Sequence, residues 1–278
     1  MIEQLILIAV IQGITEFLPI SSSGHLNLIH GVGDYPDQGL AMDVAVHIGT
    51  LVAVIIYNRA EVYRMTESFL TIGRYSREYF PVSVAAFFGT LPVLAAGYWL
   101  NGEGELIAML RSIEVIAWAT LIFGILLGIS DRMHGRRRFL TINLGDGLII
   151  GMAQILALIP GTSRAGITMT AARAAGLGRR AAARFSMILS IPVILGSGVL
   201  KGADMLESGS LDQWVEMLIA ALLAMVVALM AIKAMMAIIE RIGFMPFVIY
   251  RVILGATLLG VIYLLSLIHI SEPTRLWH

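Results

Sequence analysis

Apolar residues run in long, nearly unbroken segments along most of the chain. Six segments approach the roughly 20 residues that a helix needs to cross the hydrocarbon core of a bilayer. These six are 39–57, 80–100, 112–130, 181–201, 213–232 and 246–268. Two other apolar segments end at a proline and lead into segments that are too short to cross. They are 2–18 followed by about 22–33, and 145–159 followed by about 163–176. The pattern predicts six transmembrane helices and two short helix pairs.

Composition agrees with a membrane protein. Hydrophobic residues make up 58% of the 278 and charged residues only 14%, whereas soluble domains have about 25% charged residues. The formal net charge of zero argues against a nucleic-acid partner. The chain has no cysteine, which excludes disulfides and thiolate metal sites. Membrane lipids are therefore the expected surroundings.

The basic residues decide between two topologies. They form four clusters, whereas intervening loops carry acidic residues such as Asp34, Glu103 and Glu207. The clusters are Arg59, Arg64, Arg74 and Arg77 in the loop 58–79; Arg132, Arg136, Arg137 and Arg138; Arg173, Arg179, Arg180 and Arg184; and Lys233 with Arg241. Cytoplasmic loops are enriched in Lys and Arg. If 145–159 crossed the membrane, every later loop would break this rule. We therefore predict that 145–176 re-enters on the cytoplasmic side and that the N-terminus is outside.

The first short pair resembles the second. Gln12 to Gly24 and Gln154 to Gly166 both contain a glutamine, a proline, Ser/Thr residues and a glycine in that order, and three spans follow each pair. This pattern is typical of inverted-topology repeats, with two unrelated halves as the alternative. The predicted fold is an all-α integral membrane protein with six transmembrane helices and two re-entrant helix-loop-helix pairs. One domain covers 1–265, with repeats at about 1–130 and 141–265, and 266–278 is either a native tail or a non-native extension.

The two proline breaks are candidate functional sites, because irregular backbone at membrane depth must face protein or a watery cavity. The half-helix after each break presents unpaired N–H groups and a positive dipole end, which bind phosphate. Ser23, Thr162 and Ser163 are the predicted substrate contacts at these breaks, although capping a helix is the simpler role for Ser21 and Ser23. Arg164 should meet an anion here, and its planar fork suits phosphate oxygens.

A carboxylate and a possible nucleophile accompany the first break. Gln12 and Glu16 are four residues apart and lie on one helix face. Glu16 is costly inside a membrane, so we predict that it holds a divalent cation, Mg²⁺ or Ca²⁺, with Gln12 as a second ligand; a general base and a structural glutamate are the alternatives. Ser22 and His25, three residues apart, suit serine attack aided by an imidazole or phosphoryl transfer to the histidine.

These motifs resemble a known family. QGITEFLPISSSGH at 12–25 and PGTSRAG at 160–166, with DVAVHIGTLVAVIIY and MPFVIYRVILG, are similar to the undecaprenyl-diphosphate phosphatases, the bacitracin-resistance phosphatases. The likeness extends to about residue 265. It implies a bacterial cytoplasmic-membrane enzyme that hydrolyses undecaprenyl diphosphate to undecaprenyl phosphate and inorganic phosphate, which recycles the lipid carrier of cell-wall synthesis and confers bacitracin resistance.

The resemblance also implies which residues act. The family's functional residues fall on Glu16, Ser22, His25 and Arg164, with Gln12 at the first position of its Glu/Gln-x-x-x-Glu motif, and the choice of Ser22 or His25 as nucleophile stays open. The chain departs from the family's motifs at two positions. Gln12 is the neutral option at its position, and Ala165 replaces a serine that is common in the family. A transporter or flippase for a lipid phosphate is the competing function, since such architectures are common in transporters. A homodimer is also left open.

Overall fold

The computed structural model describes residues 2–32, 39–100, 102–202 and 211–271. This part of the chain is helical, and it contains no β-strand. The helices are α1 Ile2–Thr15, α2 Ser22–Val32, α3 Gly39–Tyr57, α4 Arg59–Leu70, α5 Phe80–Leu100, α6 Gly104–Leu110, α7 Ile113–Arg132, α8 Leu144–Gln154, α9 Arg164–Ala174, α10 Arg179–Gly202, α11 Leu211–Ile242 and α12 Met245–Ser271. Short 3-10 turns occupy Arg77–Tyr79, Phe139–Thr141 and Ile155–Leu158.

Five of the described helices are long and apolar enough to cross a membrane, namely α5, α7, α10, α11 and α12. A sixth crossing is made if α3 and α4 count as one span bent by 86°. The chain is therefore a multi-pass membrane protein, as predicted. The two short apolar helices α1 and α8 correspond to the segments that end at a proline.

The prediction of a loop at 58–79 was wrong for its first half, which forms α4. Asn58 separates α4 from α3 and donates its side-chain amide to Val54 O at 3.0 Å. One side of α4 contacts the protein through the buried Met65 and Ser68, while Arg59 and Arg64 are exposed. Such a short amphipathic helix suits a membrane surface rather than a crossing.

The two helix pairs are broken in the same way. Ser21 and Ser163 have positive φ values of 75° and 69°, which L-residues seldom adopt. The Ser21 hydroxyl accepts the N–H of Gly24 at 3.2 Å, and the Ser163 hydroxyl accepts the N–H of Gly166 at 3.1 Å. Each serine therefore turns the chain and caps the following helix, α2 or α9. We call the segments Pro19–Gly24 and Pro160–Gly166 the first tip and the second tip.

The two halves of the chain pack across each other. Helix α1 lies against α11, and α8 lies against α5. The α5–α8 contact depends on glycine, because a Cβ at Gly151 would lie 2.1 Å from Gly89 O and one at Gly147 would lie 2.3 Å from Ala85 O. Small residues let helix backbones approach closely in membranes, where packing drives helix association. The contacts between halves place the two tips beside one another.

Side chains from all four predicted basic clusters, or residues next to them, meet at one end of the bundle. The ion pairs there are Arg184–Glu61 at 2.9 Å, Arg179–Asp131 at 2.6 Å and Arg180–Glu240 at 3.1 Å. They connect α10 to α4, to the end of α7 and to the end of α11 respectively. Arg173, at the end of α9, joins the same end through a bond to Asp131 O. The acidic positions Asp34, Asp37, Asp204 and Glu207, and residues 272–278 of the tail, lie outside the described residues.

Candidate active site

The two tips touch. A Cβ added at Gly24 would lie 3.5 Å from Gly161 Cα, so the start of α2 packs on the second tip. Across this contact, Arg164 Nη2 donates to Glu16 Oε1 at 3.0 Å. The side chains are only 13% and 6% exposed, so this ion pair is inside the protein. The structure therefore brings together one predicted functional residue from each helix pair.

Glu16 is the centre of the polar contacts. Gln12 Nε2 and the Ser22 hydroxyl both donate to Glu16 Oε2 at 2.8 Å. His47 Nε2 lies 4.0 Å from the same oxygen. The carboxylate thus accepts from a residue of its own helix, from the start of α2 and from Arg164 of the second tip. A carboxylate that receives this many donors is held in one orientation.

The spacing of Ser22 and His25 predicted that they act together, but their hydrogen bonds in the structure go to other groups. Ser22 donates to Glu16. His25 Nδ1 lies 2.6 Å from Ser21 O, and its Nε2 lies 2.5 Å from the Tyr250 hydroxyl. Because a carbonyl oxygen only accepts, Nδ1 carries the hydrogen and Nε2 accepts from Tyr250. The ring also stacks on Tyr250, with centroids 5.7 Å apart.

The predicted substrate-binding residues surround this ion pair in different environments. Ser23 is exposed, and its hydroxyl lies 3.4 Å from that of Ser21. Thr162 is fully buried, and its hydroxyl oxygen has no hydrogen-bond partner among the described residues. Ser163 uses its hydroxyl as the cap of α9. Thr162 is thus a polar group without a partner next to the site, whereas Ser163 shapes the backbone.

Three residues near the tips did not stand out as site residues in the sequence. They are His47 on α3, which approaches Glu16, and Tyr250 and Arg251 on α12. His47 is four residues after Asp43, a spacing that fits a supporting pair or the solvated end of a span equally well. Tyr250 and Arg251 lie within MPFVIYRVILG, where Arg251 carries a signal of its own, because a charge inside a long apolar segment is costly.

A cavity of about 250 Å³ adjoins His47 between α3 and α10. Its walls are mainly apolar and include Leu51 and Ile194, with Asp43 at its polar side. His47 both lines this cavity and approaches Glu16, so its side chain lies between the cavity and the polar centre. An apolar groove beside a polar centre suits an amphiphilic ligand.

The oxygen atoms at Glu16 and Gln12 suit a hard cation that takes most of its ligands from a phosphate. Gln12 Oε1 is buried without a hydrogen-bond partner among the described residues, and Glu16 supplies carboxylate oxygens beside it. The described residues contain no group of three His, Cys, Asp or Glu side chains that could hold a metal ion. Mg²⁺ is commonly bound by one or two protein oxygens together with substrate phosphates and water, and this donor set fits that mode.

These contacts define a class of protein. It is a multi-pass helical membrane protein in which two broken helix pairs meet at a buried polar centre. The sequence model of the family described as bacitracin resistance protein BacA matches residues 5–257. The chain belongs to this family.

Curated relatives agree over nearly the whole length. The undecaprenyl-diphosphatase of Hahella chejuensis is 48% identical over 263 residues, which are 94% of this chain and 98% of the relative. The undecaprenyl-diphosphatase of Alteromonas mediterranea is 47% identical over 264 residues, with the same two shares. That of Chromohalobacter salexigens is 48% identical over 255 residues, 91% of this chain and 96% of the relative.

Proposed function

We propose that the protein hydrolyses undecaprenyl diphosphate to undecaprenyl phosphate and inorganic phosphate. The family and the names of the relatives support this activity. The reaction recycles the lipid carrier of bacterial cell-wall synthesis, and removal of the diphosphate confers resistance to bacitracin. The structural observation that carries the proposal is the Glu16–Arg164 pair, which puts a base, a cation and the Ser22 hydroxyl at one point.

Ser22 is the group best placed to attack the terminal phosphorus. Its hydroxyl already donates to Glu16 Oε2 at 2.8 Å, so the carboxylate can take the proton as the Oγ–P bond forms and the anhydride P–O bond breaks. Undecaprenyl phosphate is the leaving group. Water then attacks the phosphoserine and releases inorganic phosphate.

Arg164 and the tips would hold the phosphate oxygens. The guanidinium has five N–H donors, and its two contacts, to Glu16 and to Ser186 O, leave the others for the substrate. The first N–H groups of α2 and α9 have no partner within their helices and carry the positive helix dipole. A divalent cation, when bound at Glu16 and Gln12 Oε1, would supply Lewis-acid contacts to the same oxygens.

His25 is the competing nucleophile. Its Nε2 accepts the Tyr250 hydroxyl at 2.5 Å, so attack through this nitrogen would require loss of that bond. The Ser22 hydroxyl, in contrast, is already paired with a base. This difference favours Ser22. It also favours hydrolysis over lipid-phosphate transport, which needs Arg164 and the helix ends but no activated hydroxyl.

For topology, we infer two re-entrant pairs, α1–α2 and α8–α9, in inverted repeats. The ion pairs that join α10 to α7 and to α4 at one end support this topology, because a single crossing at 145–159 would put the membrane between the partners of each pair. The matching serine caps of the two tips support the repeat. The basic end is then cytoplasmic in the bacterial inner membrane, and the N-terminus is outside.

Phosphate release from undecaprenyl diphosphate or a C15 isoprenoid diphosphate, with and without Mg²⁺ or Ca²⁺, tests the activity. We expect purified protein to release phosphate and Ser22→Ala to stop it. A wild-type protein that releases none would disprove the function. Full turnover by a Ser22→Ala, His25→Ala double variant would disprove the assigned nucleophiles.

Single cysteines in this cysteine-free chain test the orientation. We expect Glu103→Cys to be labelled from outside and Arg136→Cys from the cytoplasm in sealed cells or oriented vesicles. Labelling of Glu103→Cys from the cytoplasm and of Arg136→Cys from outside would overturn this orientation.

A further inference from the structure

We propose that Arg251 is a positioning residue that holds the two tips in the arrangement needed for the reaction. The inference rests on the proposed function and adds a residue that lies outside both helix pairs, on α12. Arg251 has 0% exposure and is among the largest fully buried side chains described. A buried guanidinium needs a physical reason, because taking a charge out of water costs several kcal/mol.

The contacts of Arg251 are to backbone carbonyl oxygens of three separate segments. The acceptors are Gly161 and Thr162 at 2.9 Å each, Thr120 at 3.2 Å, Pro19 at 3.3 Å and Ala119 at 3.5 Å. Pro19 belongs to the first tip, Gly161 and Thr162 belong to the second tip, and the other two are on α7. One side chain therefore ties both tips to the α7–α12 helix pair.

No ion pair to Arg251 is formed within the described residues, although six other pairs are found there. Carbonyl dipoles stabilise the guanidinium but leave its unit charge uncancelled. This positive charge is next to both tips, where the proposed substrate carries its diphosphate. The charge of Arg251 should favour binding of the diphosphate anion. The N–H donors of its guanidinium should hold the two tips in the position that receives this anion.

The bond to Thr162 also orients the peptide that precedes Arg164. In a trans peptide the C=O and the following N–H point in opposite directions. Because the Thr162 carbonyl points at Arg251, the Ser163 N–H points away from it. No hydrogen bond from the Ser163 N–H is found in the described part of the chain. Arg251 thus fixes the backbone one residue before the guanidinium that would clamp the phosphate.

Two glycines make room for this side chain. A Cβ at Gly124 on α7 would lie 2.8 Å from Arg251 Cβ, and one at Gly166 on α9 would lie 2.6 Å from Arg251 Nη1. Real Cβ atoms essentially never approach this closely. The surrounding helices are therefore shaped around the guanidinium, which is consistent with one fixed position for it.

Two substitutions separate positioning from charge. Arg251→Lys keeps the charge but concentrates its donors on one nitrogen, which cannot span both tips. Arg251→Gln keeps two N–H donors and loses the charge. We expect kcat for phosphate release to fall about 10²-fold in both, the size of effect that a misplacement of about 1 Å can have. KM should rise only in Arg251→Gln.

Arg173 supplies a matched control. It is 4% exposed, and its bonds also go to backbone carbonyls, those of Asp131, Met133, Gly135 and Leu177, but these lie at the basic end and away from the tips. Arg173→Lys should lower the thermal unfolding midpoint about as much as Arg251→Lys does, with kcat of the folded protein within about twofold of wild type. Equal losses of kcat in the two variants would overturn the proposal.

A second pair of variants keeps Arg251 in the chain, in case its substitution prevents folding. Gly124→Ala should displace the side chain and lower kcat at least tenfold. Gly128→Ala, one turn further along the same α7–α12 contact, meets Val248 Cγ1 at 3.0 Å instead and should leave kcat nearly unchanged. Normal kcat in Gly124→Ala and Arg251→Lys beside an active wild type overturns this inference alone, whereas an inactive wild type overturns the function.

Discussion

Ser21 and Ser163 occupy equivalent places in the two tips. Each has a positive φ, at 75° and 69°, and each caps the next helix through a glycine N–H three residues on, that of Gly24 or Gly166. Gln12 and Gln154 precede these serines by the same interval. The backbone design is thus repeated, and in both places it points the start of a helix at the tip contact.

The side chains on this common frame differ. The first tip has Ser22 where the second has Arg164, and His25 where the second has Ile167. Glu16 likewise corresponds to Leu158. In the proposed mechanism, the first helix pair supplies the groups that would react, and the second supplies the cation that would balance the substrate's charge. Under this proposal, two similar tips, each with a helix start suited to an anion, divide catalysis and substrate binding between them.

After Ser22→Ala, removal of the cation of the second tip should have the largest effect. Arg164→Ala deletes the guanidinium that bonds Glu16, and loss of a preorganised donor costs about 10²–10³ in kcat. Phosphate release by purified protein measures the loss. Arg180→Ala is the control, because Arg180 forms an exposed pair with Glu240 and such pairs contribute about 0–1 kcal/mol. Near-normal kinetics for Arg164→Ala would remove it from the site.

Neutralising the carboxylate that precedes the first tip should have the next largest effect. Glu16→Gln removes the carboxylate that would take the Ser22 proton and that forms the ion pair with Arg164. A positioned general base contributes about 10²–10⁴-fold, so we expect kcat/KM to fall about 10²-fold, together with a weaker response to Mg²⁺. Glu240→Gln should show neither change. A Glu16→Gln variant with wild-type turnover would show that this carboxylate is structural.

Tyr250→Phe should have a smaller effect and tests the role of His25. The change removes the hydroxyl that donates to His25 Nε2, a neutral bond worth about 0.5–1.5 kcal/mol. If the bond only orients the imidazole, kcat/KM should fall about 3- to 10-fold. An increase would instead identify Nε2 as a nucleophile that Tyr250 blocks, and Ser22 would lose its assigned role.

The two equivalent glutamines should respond in opposite ways, with the smallest expected effects. Both polar side-chain atoms of Gln154 are buried without a hydrogen-bond partner among the described residues, whereas Gln12 donates to Glu16. Gln154→Met should raise the unfolding free energy by about 1 kcal/mol and keep activity. Gln12→Met should lower activity. Thermal unfolding in detergent and phosphate release measure the two effects, and lost activity in Gln154→Met would place Gln154 in the site.

The breaks and caps of the two helix pairs could be predicted, because the residues that produce them are close together in the sequence. Pro19 and Pro160 mark the breaks, and Ser21 and Ser163 supply the caps. The helix at 59–70 was missed because the arginines of the segment 58–79 suggest a loop, although its apolar residues lie on one helix face. The spacing of Ser22 and His25 also suggested a pair, but the Ser21 carbonyl and Tyr250 hold the imidazole, and the serine turns to Glu16.

The sequence by itself determined that the chain lies in a membrane, which segments are apolar enough to span it, where the two breaks fall and most of the polar residues that line these breaks. These follow from hydropathy, charge and turn chemistry, which act over a few residues at a time. Only the tertiary structure decided which of these groups meet. Glu16 and Arg164 are 148 residues apart, and Arg251 is 232 residues from Pro19. Such contacts depend on how the helices of one half pack against those of the other, and no local spacing specifies that packing.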